Sequence, residues 1–402
     1  MKRIGALPKD IKHKNDIEIL RSIAGRGVFT VQDIADQTMI SRLTIRRALE
    51  YFMEKGIVIQ GGKGSSTSLG GKKPQEYSLN GSRYGISIAP SGGQTLVSLM
   101  SFAGEEIDLE TFVFPAALTY EEFIEKSAES VKKLLNRNKI SQEDLYGIIL
   151  CTGGIIDRKA GIFRTSSIPQ WDNDLHAAED LAKKLGMKTH IEVENVSKVC
   201  SSTLRFNNEV QGKRTAVMYA DYGVSITQLE DGRTIGSSNG VNGELGHMCL
   251  DPHDEEICVC GSRGCFEVLI SQKRIWKMIN ELPSKEKEKL LKDYDEANDI
   301  RRYLLEEEKN GNPDIQRLCS YMARIIGLAF RNVTLAIDPD LFVIQGVFSY
   351  ASDDFLNQIR SVMRENKYLK DIDIDIRKER KELSEMLKNG SMNILLSSIL
   401  DS

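Results

Sequence analysis

Residues 243–267 open with Gly243-Glu244-Leu245-Gly246-His247 and close with Cys258-Val259-Cys260-Gly261-Ser262-Arg263-Gly264-Cys265-Phe266-Glu267. One imidazole and three thiols at this spacing match the donor set of a closed tetrahedral zinc site: His247, Cys258, Cys260 and Cys265. Four protein ligands leave no position open for a reactive water. Such a metal ties a loop down and does no chemistry of its own. Glu244 and Glu267 flank the ligands, so function is to be sought beside the metal and at the start of the chain.

At 402 residues the chain is too long for one core, and two or three domains are expected. The net charge of −4 hides an asymmetry, because residues 1–80 sum to +6 and the remainder to −10. A small basic module on an acidic, ligand-handling body fits that split, and a basic head is a footprint of nucleic-acid binding. Seven cysteines, three of them within residues 258–265, do not make a disulfide framework. The first ten residues lack a signal peptide's apolar stretch, and no segment reaches the ~18 apolar residues of a membrane span. A cytoplasmic protein with reduced thiols is the expectation.

In the head, Ile17, Ile19, Leu20 and Ile23 form one helical stripe, and Val31, Ile34 and Ala35 a second. Ser41 is placed to cap a third helix running to about Lys55. Leu43, Ile45, Leu49, Tyr51 and Phe52 supply its buried face. Arg42, Thr44, Arg46 and Arg47 cluster at its N-terminal end, where a recognition helix meets base edges and phosphates. Gly56 ends the helix, 57–59 reads as a strand, and 61–71 as a glycine-rich wing leading to Lys72 and Lys73. The segment predicts a winged helix-turn-helix that contacts double-stranded DNA through Ser41, Arg42, Thr44, Arg46, Arg47, Lys72 and Lys73. So small a module gains affinity and half-site spacing by pairing, so a dimer is expected. Solvated charge on a plain three-helix unit is the alternative.

After residue 80, β-rich runs (85–88, 95–100, 147–151, 190–193, 215–219, 226–229, 341–344) alternate with helical stretches (120–138, 173–185, 269–281, 314–335, 352–365). This predicts α/β architecture with mixed sheets. The charge-rich stretch 283–311 reads as exposed helices outside the core, and no tandem repeat is evident.

The Gly243–His247 run, the three cysteines and Glu267 resemble the signature of the ROK family, the repressors, open reading frames and sugar kinases built on the actin-like ATPase fold. The resemblance extends from the Gly70-Gly71-Lys72-Lys73-Pro74 linker to Asp338-Pro339-Asp340. With a helix-turn-helix in front, the chain resembles the family's repressor branch, whose members respond to xylose, N-acetylglucosamine or glucose. It implies a winged helix-turn-helix at 1–80 and a two-lobed domain at 81–402. The first lobe spans about 81–195 plus the C-terminal helix, and the second about 196–380. It further implies a sugar in the cleft, a structural zinc in the second lobe, and dimers or tetramers. Glu244, His247 and Glu267 are implied to face sugar hydroxyls, His247 giving one ring nitrogen to zinc and the other to sugar. Asn195 is left to bond a hydroxyl, and Ser167 stands in the family's Asn place within Ser166-Ser167-Ile168-Pro169-Gln170-Trp171. Trp171 itself reads as core.

The chain departs from a ROK kinase in four places. Val196 stands where the kinases carry the Asp that deprotonates the attacking hydroxyl, a loss worth roughly 10²- to 10⁴-fold. No Asp occurs between 81 and 107, where the first phosphate loop carries one. The second loop, Asp221-Tyr222-Gly223-Val224-Ser225, keeps one glycine and adds a carboxylate. Gln345-Gly346-Val347 replaces a Gly pair near the nucleotide base. The expectation is therefore no enzyme, but a sensor of a sugar or modified ligand that represses carbohydrate genes. An active sugar kinase with an appended DNA-binding head, and a regulator controlled by a protein partner, are the rivals.

Overall fold

The predicted runs of β-branched residues all fall inside strands, and among the described residues the strands assemble into two sheets of five, a small sheet in the head and a two-stranded hairpin of Gly154–Asp157 and Ile162–Ser166. The computed structural model describes residues 8–63, 73–168, 170–236 and 239–401. Two units divide the chain: residues up to Asn208 together with those from Ser384 onward, and Glu209–Leu383.

The first unit begins with helices Pro8–Ile23, Val31–Thr38 and Arg42–Glu54, followed by an antiparallel sheet of Phe29–Thr30, Gln75–Leu79 and Val58–Lys63. Thr30 caps the second helix in a reciprocal box with Asp33, and the Ser41 side chain accepts from the Thr44 backbone to cap the third. Ile45, Ala48, Leu49 and Phe52 bury one face of that third helix. Leu43, expected on the same face, is 59% exposed. It lies two residues past the cap, half a turn from Ile45, and points away from the core. Only Gly61, Gly62 and Lys63 of the expected wing are described, and Lys72 lies outside the described residues.

The unit's main sheet runs His190–Asn195, Leu145–Thr152, Tyr84–Ser91, Gln94–Ser101, Glu106–Val113, with the first three strands parallel and the last three antiparallel. Helices Tyr120–Asn138 and Ala177–Leu185 cover one face through Phe123, Val131, Leu134 and Leu181. The latter helix starts four residues later than expected, because Leu175 pairs with Phe163 and Asp174 takes a left-handed turn. The C-terminal helix Leu383–Asp401 covers the other face, and glycine makes room for it. A Cβ on Gly85 would lie 2.5 Å from Leu395, and one on Gly390 only 1.9 Å from the Val199 carbonyl oxygen.

This helix explains why the first unit's borders differ from the expected ones. Gly390 abuts Val199, and Asn393 donates to the Ser202 carbonyl at 3.0 Å, so residues 196–208 stay with the first unit. Met392, Leu396 and Ile399 also join a cluster with Leu20, Ile45, Leu49 and Phe52 of the head and with Met100 and Phe102. The head therefore shares a core with the body and is not a separate compact unit.

The second unit's sheet runs Arg233–Thr234, Val224–Glu230, Arg214–Ala220, Leu341–Gly346, Ile376–Lys378. In order of occurrence both sheets read third, second, first, fourth, fifth, with two antiparallel pairings and then two parallel ones. This duplication of topology has no counterpart visible in the sequence. Helices Pro313–Ile337 and Asp353–Arg364 pack in the main core. The 283–311 stretch also differs from expectation. Leu290, Ile300, Leu304 and Leu305 are buried there, and Arg301, 2% exposed, is neutralised by Asp299 at 2.6 Å. The 269–281 helix is two helices, Phe266–Leu269 and Gln272–Asn280, separated by Ile270 and Ser271, and the Ser271 side chain caps the second. Among the described residues no helix is long and apolar enough to cross a membrane.

Candidate functional site

In the second unit, the ligating atoms of His247, Cys258, Cys260 and Cys265 lie within 4.8 Å of one another. The His247 Nδ1 to Cys258 Sγ distance is 3.4 Å and the Cys260 to Cys265 sulfur distance 3.6 Å. A tetrahedron of thiolates at about 2.3 Å from a metal has edges of about 3.7 Å, so the donor set and spacing fit a metal ion. The loop is built for this closeness. Cys258 N donates to Ser262 O and Gly261 N to Cys258 O, which turns the chain back. Gly264, at φ +63°, passes so near Asp251 that a Cβ would meet its carbonyl oxygen at 1.7 Å. Burial raises the Cys258 and Cys265 thiols. It pushes Cys260 up too, but hydrogen bonds from Ser262 and the other cysteines outweigh this and bring it down to about 7. A metal would displace the remaining protons.

With Nδ1 turned to the cysteines, His247 Nε2 faces the Glu244 carboxylate at 3.9 Å. Glu267 follows the last cysteine by two residues, and its Oε2 accepts from Val224 N at 2.8 Å. One of its oxygens thus secures the Asp221–Val224 turn. The metal loop and that turn are mechanically joined.

In the first unit, Asn195 caps helix Val196–Ser201. Its carbonyl oxygen accepts from Ser197 N at 2.8 Å and Ser197 Oγ at 2.7 Å, while Nδ2 donates to Gly154 O at 2.7 Å. One amide hydrogen remains for a ligand, fewer than the residue type suggests. Ser167 lies alongside, its N donating to Gly153 O at 3.3 Å, so both expected contacts gather around Gly153-Gly154. Pro169 lies outside the described residues. Trp171 is core, as expected: its indole donates to Leu118 O at 2.9 Å among Phe114, Tyr120, Phe123 and Phe163.

Val196 opens its helix with an apolar side chain that has no proton-accepting group. Glu194 is buried, its pKa raised by burial against the pull of Arg158 and Lys198, and its Oε1 accepts from Asn195 N. The first phosphate-loop position is a tight hairpin turn through Gly92 and Gly93, at φ +59° and +77°, without a carboxylate. In the second, Arg301 donates to the Asp221 carbonyl at 2.6 Å. Burial raises the Asp221 carboxyl, against Arg301. Gln345 is buried, its Nε2 donating to Glu379 at 2.5 Å.

On the head, Arg42, Arg46 and Arg47 are exposed and make no side-chain hydrogen bond or ion pair among the described residues. Lys73 is exposed. Thr44 is half-buried, and its hydroxyl lies 2.9 Å from Ser41 Oγ. The sequence reading missed Leu43 on this face; its helical position relative to Ile45 was the available signal.

Residues 91–383 match the ROK family, to which the chain therefore belongs. A putative xylose repressor of Caldicellulosiruptor sp. (strain Rt8B.4) is 22% identical over 369 residues, 89% of each chain. A glucokinase of Halalkalibacterium halodurans is 25% identical over 236 residues, 58% of this chain and 71% of that one. The same fold occurs in a solved ROK family transcriptional regulator, a homologue of the E. coli MLC protein. Its TM-score is 0.72 at 17% identity, covering 98% of this chain and 100% of that one.

Proposed function

We propose that the chain is a sugar-responsive transcriptional repressor of carbohydrate genes, acting in the cytoplasm as a homodimer or tetramer. Residues 1–80 form a winged helix-turn-helix that binds double-stranded operator DNA, and residues 81–402 sense the effector without transferring phosphate. The observation that carries this reading is the capped third helix presenting Arg42, Arg46 and Arg47 exposed and unpaired. Lys72 and Lys73 are further proposed DNA contacts. Likeness to named xylose repressors over 89% of the chain supports the same reading. Glu244, His247 and Glu267 are the proposed effector contacts in the second unit, and Asn195 and Ser167 in the first. Carboxylates accept from sugar hydroxyls, and an imidazole held by zinc through Nδ1 keeps Nε2 for the ligand.

A thermal-shift screen against sugars, sugar phosphates and magnesium-ATP tests the reading. An effector at 100 Kd stabilises by about 2.7 kcal/mol, and ATP is expected to give no shift. The glucokinase likeness favours a second reading, an active kinase. Robust phosphate transfer from ATP to any hexose would establish it.

Zinc is the proposed metal, held by His247, Cys258, Cys260 and Cys265. Chelation, or Cys260→Ser, is expected to lower Tm and weaken effector binding, because the loop carrying Glu244 and Glu267 loosens. Metal-free protein that binds effector as tightly as before would break the link between metal and ligand.

A further inference from the structure

The third helix of the head carries an apolar side chain that the proposed function has not used. Leu43 is 59% exposed, and Met39, in the turn before it, 88%. At positions i, i+3, i+4 and i+7, Leu43, Arg46, Arg47 and Glu50 share one helical stripe. All four are exposed, while Ile45, Ala48, Leu49 and Phe52 are buried. A single leucine on a surface ordinarily calls for no explanation. This one stands between Arg42 and Arg46, second in its helix, at the end that a recognition helix turns toward base edges.

The hydrogen bonds of the cap sharpen the point. Ser41 Oγ accepts from Thr44 N at 3.2 Å and lies 2.9 Å from Thr44 Oγ1, so the two hydroxyls bond each other. The side chains at this turn that remain uncommitted are Arg42 and Leu43. Among base edges in the major groove, only thymine offers an apolar group, its C5-methyl. The surrounding arginines supply the charge that brings a duplex to this face.

We infer that Leu43 packs against the C5-methyl of a thymine in each operator half-site, with Met39 extending the apolar surface. One determinant of sequence preference is then a methyl contact and not a hydrogen bond. This inference rests on the DNA-binding reading of the head.

The test uses the full-length protein and an operator obtained by selection from random duplexes. Each thymine is replaced in turn by uracil, which keeps the base pair and removes only the methyl. At one position per half-site, affinity is expected to fall about fourfold, the worth of one buried carbon, and more than tenfold with both half-sites replaced. Leu43→Ala is expected to bind thymine DNA more weakly and to show no further uracil penalty at that position. Indifference of the wild type to uracil at every position would overturn the inference while leaving DNA binding intact, as would an unchanged penalty in Leu43→Ala. Failure of selection to enrich any sequence would overturn the DNA-binding reading itself, and the inference with it.

Discussion

Arg46→Ala together with Arg47→Ala is expected to abolish operator binding while leaving metal content, oligomeric state and Tm as they are. Both side chains are exposed on the stripe opposite Ile45, Leu49 and Phe52, and neither makes an ion pair among the described residues, so their removal costs the fold little. At a DNA surface each arginine is worth about 1–3 kcal/mol, so the pair accounts for roughly 30-fold to 10⁴-fold per protomer. Electrophoretic mobility shift at two salt concentrations checks it. The slope of log affinity against log salt should also shrink by about one for each phosphate that an arginine no longer neutralises. Unchanged affinity would move the DNA-binding surface elsewhere.

The second large effect is expected from Gly390→Ala. In an exposed helix interior this change stabilises by roughly 0.5–1 kcal/mol. Here the new Cβ meets the Val199 carbonyl oxygen at 1.9 Å, so the C-terminal helix must shift. The sign reverses to a destabilisation of about 1–3 kcal/mol, measurable as a lower denaturant midpoint. The consequence extends past stability, because this helix touches two regions of the first unit on which the proposed function rests. At Gly390 and Asn393 it holds the segment that Asn195 caps. At Met392, Leu396 and Ile399 it packs on the head, where Tyr51 OH donates to Ile399 O at 3.4 Å. A displaced helix should therefore weaken the effect of effector on DNA affinity, a coupling typically worth about 1–3 kcal/mol. Wild-type stability in Gly390→Ala would contradict this seating.

The clustering of His247, Cys258, Cys260 and Cys265 was legible because their donors are chemically distinctive and closely spaced, and the strands because Val and Ile runs between turns are unambiguous. The strand Glu106–Val113 was not, since its acidic residues point to Arg137, which pairs with Asp108 and Glu110 at 2.7 and 2.6 Å. Residues 283–311 misled in the same way: their charge is real, but Asp299 neutralises Arg301 and lets Ile300, Leu304 and Leu305 sink into the core. Leu43 misled in the opposite sense, an apolar residue taken for core because exposure depends on helix phase and not on residue type.

By itself the sequence determined what acts over a few residues: the Ser41 cap, the His247-Cys258-Cys260-Cys265 donor set and the absence of a carboxylate at Val196. Caps and closely spaced donors need only near neighbours in the chain. Tertiary structure decided how much of Asn195 is left for a ligand, which Glu267 oxygen is spent on Val224, and that the head shares a core with the C-terminal helix. Those outcomes depend on which distant group fills a hydrogen-bonding capacity or occupies the space a Cβ would need, and sequence spacing carries no record of either.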